Sequence, residues 1–203
     1  MVVCIMKKEM IIDILKSLTN TQIYAILLLG SEKSKPIKGK TWYQKELFLI
    51  ANNIPLLDED ANFKADYMGP YSEAANDALD VLISYNIISY SGSSIKLTDF
   101  GKDLFSIIHS KISNEQLEII EDFKELLNDL DYYELLGFVY FTYPNFINES
   151  LVYKEVLPIR KQIAMSLYSK EKVSMSKAAE IADIPIEDFI ELMKAMGAEV
   201  YSE

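Results

Sequence analysis

Met10, Ile11, Ile14, Leu15 and Leu18 recur at the spacing of one helix face, and Thr19 and Thr21 interrupt them before residues 23–29 resume as an unbroken apolar run. The pattern predicts two helices, the second closed by Gly30. Residues 30–40 then read as an exposed basic loop, since Gly, Ser and Pro are mixed there with Lys33, Lys35, Lys38 and Lys40. Thr41 is placed to cap a helix with Trp42, Leu47, Phe48, Ile50 and Ala51 on its apolar face, ended by Asn52, Asn53 and Pro55. Gly69-Pro70 opens the next helix, because proline in a first turn lacks only an N–H that has no partner there. Tyr71, Ala75, Ala78, Leu79, Leu82 and Ile83 supply its buried stripe.

After Asn86 the spacing shortens. Ile87, Ile88 and Tyr90, a turn around Gly92, and Ile95 to Leu97 predict a hairpin, and Thr98 caps a helix over residues 99–110. Helix, helix, two-stranded wing, helix is the order of a winged helix. Ser113 with Gln116, and Asp131 with Glu134, read as capping boxes for helices over 114–130 and 132–142, the second terminated by Pro144. Phe138, Tyr140, Phe141, Tyr143 and Phe146 form an aromatic segment expected to pack between two halves. A helix over 158–169 follows. Ser174 then caps residues 175–182, Asp183-Ile184-Pro185 breaks the pattern, and residues 186–196 end at Gly197, which makes a helix-turn-helix closed by Ala178, Ala179, Ile181, Phe189, Leu192 and Met193. The expected fold is mainly α: a winged-helix-like domain with a small β-hairpin over 1–112, a helical connector over 113–157 and a helix-turn-helix domain over 158–203.

Composition changes this picture little, and charge changes it more. Half of the 203 residues are hydrophobic and a quarter charged, as in ordinary globular chains. Residues 23–29 are too few to cross a bilayer, and the apolar residues 2–6 run straight into Lys7 and Lys8, the wrong order for an export signal; the expectation is a cytoplasmic chain with no membrane partner. A single cysteine, Cys4, excludes an intrachain disulfide and a thiolate cluster. The net charge of −11 is uneven, with residues 1–70 near balance and the excess acid beyond them, so only the first third can present a basic face.

Catalytic chemistry is poorly supplied. One histidine, His109, and one arginine, Arg160, leave no histidine metal site and no Ser-His-Asp arrangement, and His109 at a helix end reads as a capping or surface residue. Glu115, Glu118, Glu121, Asp122 and Glu125 read as one solvated helix face, and no glycine loop has the ending that cradles phosphates. No catalytic residue, cofactor or metal is expected. The lysine loop is a candidate contact for phosphate or for an acidic partner, with a merely solvated loop as the alternative. The two helices placed to read DNA are acidic: one carries Glu73, Asn76, Asp77 and Asp80, the other Glu187, Asp188 and Glu191.

Over residues 22–105, Trp42-Tyr43-Gln44-Lys45 with Phe48, then Tyr67-Met68-Gly69-Pro70-Tyr71-Ser72, then Leu97-Thr98-Asp99-Phe100-Gly101 occur in an order that resembles the Panacea, or SocA-like, antitoxin region. The resemblance implies a winged-helix-like domain framed by a Gln-Lys helix and a Gly-Pro turn, in proteins that neutralise toxins or act as adaptors. Over residues 160–203, Ile163-Ala164, Ser174 through Ala182 and Phe189 resemble a family of short, largely uncharacterised prokaryotic helix-turn-helix proteins regarded as antitoxin-like, departing from it at Asp183 and Pro185.

These readings converge on a non-enzymatic, antitoxin-like regulator or adaptor that binds a protein partner, a basic toxin-like protein fitting its acidic helices. The alternative is a DNA-binding transcriptional regulator, dimeric through the aromatic segment, and a metal-dependent enzyme is the third class. The candidate interaction surface is Lys33, Lys35, Lys38, Lys40, Gln44, Lys45, Tyr67, Gly69, Pro70, Tyr71 and Ser72. Ser174, Lys177, Glu187, Asp188 and Glu191 mark the candidate helix-turn-helix face.

Overall fold

A computed structural model describes residues 11–197. The readings made on residues 2–6, Cys4, Met10 and 198–203 lie outside the described residues. The chain is mainly helical with small two-stranded sheets and divides into two compact units: residues 11–63 with 71–128, and Lys64–Pro70 with 129–197. The expected boundaries at 112 and 157 are therefore corrected. The helix after residue 113 belongs to the first unit because its apolar face lies on two of that unit's helices, and residues 64–70 leave the first unit for the second.

The first unit runs α1 (Ile11–Ser17), α2 (Asn20–Ser34), α3 (Lys40–Ala51), α4 (Pro55–Ala61), α5 (Glu73–Ser84), the hairpin β3 (Ile88–Ser91) and β4 (Ser94–Leu97), α6 (Asp99–His109) and α7 (Asn114–Asn128); β1 (Lys64–Asp66) and β2 (Gly69–Tyr71) lie between α4 and α5. Thr19 opens α2 with a capping box to Gln22, and the Asp60 carboxylate of α4 accepts hydrogen bonds from the Thr21 N–H and hydroxyl at 2.7 and 2.6 Å, at the positive end of the helix. Ala25, Ile26, Leu27, Leu28 and Leu29 are all fully buried. A helix apolar on every side is a core helix, and α4, α5, α6 and α7 all pack on α2. Each such leucine or isoleucine contributes roughly 1.5–3 kcal/mol by leaving water.

Three local expectations change. The α3 N-cap is Gly39, so Thr41 lies inside the helix. Pro70 sits in β2 instead of a first helical turn; Ser72 caps α5 and its Oγ accepts the Ala75 N–H. Helix α4, started by Pro55 at its first position, occupies a stretch read only as a terminator. Ile37 pairs with Ile95 of β4, so the hairpin gains a third strand position ahead of α3. Gly101 lets α6 start against the hairpin: a Cβ there would lie 2.1 Å from the Ile87 carbonyl oxygen.

The second unit contains α8 (Tyr132–Thr142), α9 (Tyr153–Val156), α10 (Arg160–Ser169), α11 (Met175–Ala182) and α12 (Ile186–Ala195). Asp131 and Glu134 form the expected capping box at α8. The Glu134 carboxylate also accepts from Ser166 of α10 and from Lys170, which caps the C-terminal end of α10, each at 2.5 Å. Burial pushes this carboxyl up, but the bonds from Lys170 and Ser166 outweigh burial and hold it below its ordinary value. Gly69, at φ +82°, lies against Tyr140, where a Cβ would come within 2.6 Å of the ring. Of the aromatic segment, Phe138, Tyr140 and Phe141 are buried in this unit. No single helix among the described residues is long and apolar enough to cross a membrane; α1 and α2 meet that test only as a pair bent by 118°.

Candidate functional site

Two of the three motifs that carry the N-terminal resemblance meet at one residue. Gln44 of α3 is buried, its Nε2 donates to the Ser72 carbonyl at 3.0 Å, and its Oε1 accepts the Ser72 N–H at 3.0 Å. The Ser72 hydroxyl donates to the Ala61 carbonyl and accepts from the Ala75 N–H at 2.9 Å, so every polar group of Ser72 is satisfied. Tyr43 adds a bond from its hydroxyl to the Ala75 carbonyl at 3.0 Å. Helix α3 therefore fixes where α5 begins. Gln44, Lys45, Gly69, Pro70 and Ser72 are buried, which removes them from the expected contact surface; Tyr67 is exposed and Tyr71 half-buried.

The loop lysines are exposed, as expected, but most are tied locally. Lys35 pairs with Glu32 at 2.6 Å, Lys38 lies over the Trp42 ring at 5.6 Å, and Lys40 donates to Asn76 Oδ1 at 3.0 Å. Lys33 lines an open pocket of about 410 Å³ with Glu32, Phe105, His109, Leu117, Glu118 and Glu121. His109, exposed in the last turn of α6, stacks edge-on against Phe105. Among the described residues no group of three His, Cys, Asp or Glu side chains is placed to hold a metal ion.

Helix α5 presents Glu73, Asp77 and Asp80 to solvent, with Asn76 half-buried and no lysine or arginine in its length. Ile83, expected on the buried stripe, is exposed on α5 itself, Tyr85 and Tyr90 are exposed beside the helix, and Asp80 lies close enough to Tyr90 to add to the upward push that burial gives its phenol. The hairpin exposes Ser91, Gly92, Ser93 and Lys96.

One feature was missed at the level of sequence. Glu121, Lys124 and Asn128 lie at i, i+3 and i+7, on one face of α7, and together hold the kinked end of α2 and the residues just beyond it. Glu121 accepts the Glu32 N–H at 2.8 and 2.9 Å. Lys124 donates to the carbonyls of Leu29 at 3.2 Å and Ser31 at 2.8 Å, and Asn128 donates to the Pro36 carbonyl at 3.1 Å. Lys124 and, on α3, Glu46 are fully buried, and neither Glu46 oxygen has a hydrogen-bond partner. Burial, more than any neighbouring charge, pushes the Glu46 carboxyl up to about 8 and the Lys124 ammonium down to about 8, each partly offset by attraction to the other. The signal was present in the spacing: Lys124 follows Ile120 by four residues and Glu46 follows Tyr43 by three, both on apolar stripes.

In the second unit Ser174 caps α11, accepting the Lys177 N–H at 3.1 Å, and Lys177 pairs with Glu180 at 2.8 Å. The turn between α11 and α12 has Asp183 in the left-handed conformation at φ 58°. Arg160 accounts for an aspartate there: it donates to the carbonyls of Ile181 and Glu180, pairs with Asp183 at 3.1 Å, and lies 4.4 Å from the centre of the Phe141 ring. Glu187, Asp188 and Glu191 are exposed on α12, as expected of a solvated acidic face.

Residues 140–203 match the model of a family described as Uncharacterised protein family UPF0175. That stretch contains the helix-turn-helix and stops short of the residues that carry the N-terminal resemblance. No curated protein and no solved structure matches the chain.

Proposed function

We propose that this chain is a non-enzymatic, antitoxin-like regulatory adaptor of the cytoplasm, which masks a basic protein partner with the acidic face of its N-terminal unit. The order of α2, the Ile37 strand position, α3, α5, hairpin and α6 supports a winged-helix reading, in which α5 takes the place of the DNA-reading helix. The observation that carries the proposal is what α5 exposes: Glu73, Asp77 and Asp80, with tyrosines beside them. Such a face repels phosphate, and its complementary surface is a basic protein. The Gln44–Ser72 node supports the Panacea-like reading of the same unit, because it gives the Gln-Lys helix and the Gly-Pro turn one shared task.

The test is capture of partners by the immobilised full chain, run beside Asp77→Lys/Asp80→Lys and Glu187→Lys/Asp188→Lys variants. A basic protein retained by the wild type, lost with the α5 reversal and kept by the α12 reversal supports masking through α5. Retention by all three baits sinks it.

A DNA-binding regulator is the second reading, favoured by exposed Lys38, Lys40 and Lys96 and by the helix-turn-helix of the second unit. It requires salt-dependent binding of a duplex, preferred over a scrambled one.

A further inference from the structure

The acidic face of α5 leaves its charges unanswered. Asp77 and Asp80 stand one turn apart on it, and neither carboxylate pairs with a lysine or arginine among the described residues, whereas Asp129, Glu134 and Asp183 elsewhere in the chain each do. Lys40 reaches this helix, but it donates to Asn76. Tyr90 flanks the same face. It stands opposite Ile95 in the hairpin and shares a side of β3 with Ile88, and both of those isoleucines are buried. Its backbone end is thus fixed against the core while 39% of the residue stays open to solvent, close enough to Asp80 for the charge to be felt at the phenol. Ile83, exposed three residues after Asp80, adds apolar surface.

A carboxylate beside an aromatic ring suits a guanidinium better than any other cation. The planar group stacks on the ring while its N–H groups donate sideways to the carboxylate, and a lysine ammonium, a compact point charge, cannot do both as well. The chain builds this arrangement once for itself: Arg160 pairs with Asp183 at 3.1 Å and lies 4.4 Å from the centre of the Phe141 ring. Asp80 and Tyr90 offer the same two components to solvent. We propose that they form an arginine receptor on unit 1, edged by Asp77 and Ile83, which anchors an arginine side chain of the basic protein that α5 masks. This assignment rests on the masking role proposed for α5 and names the residue type it recognises. The arginine comes from another protein, because Arg160 is the only one in this chain and its guanidinium is taken up by Asp183 and the carbonyls of Glu180 and Ile181.

Fluorescence polarisation of the full chain with labelled hexa-arginine and hexa-lysine peptides, at about 150 mM salt, tests this. The two peptides carry the same charge, so the ratio of their affinities cancels the general attraction of an acidic chain. The wild type is expected to hold hexa-arginine about tenfold more tightly. Tyr90→Phe keeps the ring and the preference, Tyr90→Leu and Asp80→Asn each bring the ratio close to one, and Glu187→Gln/Asp188→Asn on α12 leaves it unchanged. Asp80 is exposed, so its variant decides the matter even where Tyr90→Leu does not fold. Equal wild-type affinities for the two peptides, or no binding of either, overturn the proposal, as does a preference that survives both Asp80→Asn and Tyr90→Leu. Asp77→Lys/Asp80→Lys separates this failure from that of the masking role. If the ratio is one and the double variant weakens both peptides alike, α5 takes a basic partner without an arginine anchor; if it weakens neither, the masking role of α5 falls too.

Discussion

Ser72 shows how a six-residue motif acts through single atoms. Its backbone carbonyl and N–H are both taken by the Gln44 amide, a neutral group that donates and accepts in one plane. No other side chain of that length does both. Gln44→Ala leaves two buried backbone groups without partners, and unit 1 is expected to lose about 2–3 kcal/mol, read from a urea titration of Trp42 emission. Glu46 works in the opposite sense. Its carboxyl is raised from 4.5 to about 8, so the folded state holds a proton that the unfolded state has lost, and stability falls as pH rises through that window. Lys124, lowered from 10.5 to about 8, returns stability only above pH 8, as the unfolded state becomes the one that binds the extra proton. Unit 1 is thus least stable near pH 8. In the same titration the wild-type midpoint is expected to drop between about pH 6 and about pH 8, and Glu46→Gln to show no drop.

At the scale of elements, caps and periodicity were legible and side-chain destinations were not. Thr19, Thr98, Ser113, Asp131 and Ser174 cap or bond to the first turns of the helices they precede, because a short acceptor before an apolar run satisfies N–H groups whatever the tertiary context. Helix α4 was hidden by Pro55, which ends one pattern and starts another equally well. The polar stripe of α7 was hidden by its own acids: Glu121 lies among Glu115, Glu118, Asp122 and Glu125, and only the chain brought against it distinguishes a solvated glutamate from one that grips a backbone N–H. Long-range placement decides such roles: spacing along the helix marks Lys124 as lying on an apolar stripe, and it does not say what Lys124 or Glu121 will grip. Arg160 belongs to the same class. Its three donors close the α11–α12 turn, so Arg160→Ala is expected to destabilise that turn by about 1.5–3 kcal/mol, visible as a lower midpoint in a thermal melt followed by helical circular dichroism. Arg160→Lys recovers only part of this, since one ammonium cannot span two carbonyls and a carboxylate in the planar geometry of a guanidinium.

At the scale of the molecule, the net charge of −11 separates the two readings of function more sharply than the fold does. A duplex binder gains affinity by releasing counterions from the phosphates it neutralises, and an α5 without a single lysine or arginine neutralises none. The exposed Lys38, Lys40 and Lys96 are few, and Lys40 is already bonded to Asn76. Replacing Asp77 and Asp80 with lysine adds positive charge on the exposed face of α5, and the two readings answer that change with opposite signs. If α5 faces DNA, the double variant binds a duplex more tightly than the wild type, with a steeper salt dependence, because two phosphate contacts replace two repulsions. If α5 masks a basic protein, the variant loses its partner, and the wild type shows no polarisation change with its own upstream duplex even at about 50 mM salt. Fluorescence polarisation across a salt series, run with both chains and a scrambled duplex, measures that difference directly. The expected outcome is a wild type silent at every salt concentration and a variant whose only duplex binding is weak, indifferent to sequence and lost as salt rises, the behaviour of an added charge and not of a restored reading head.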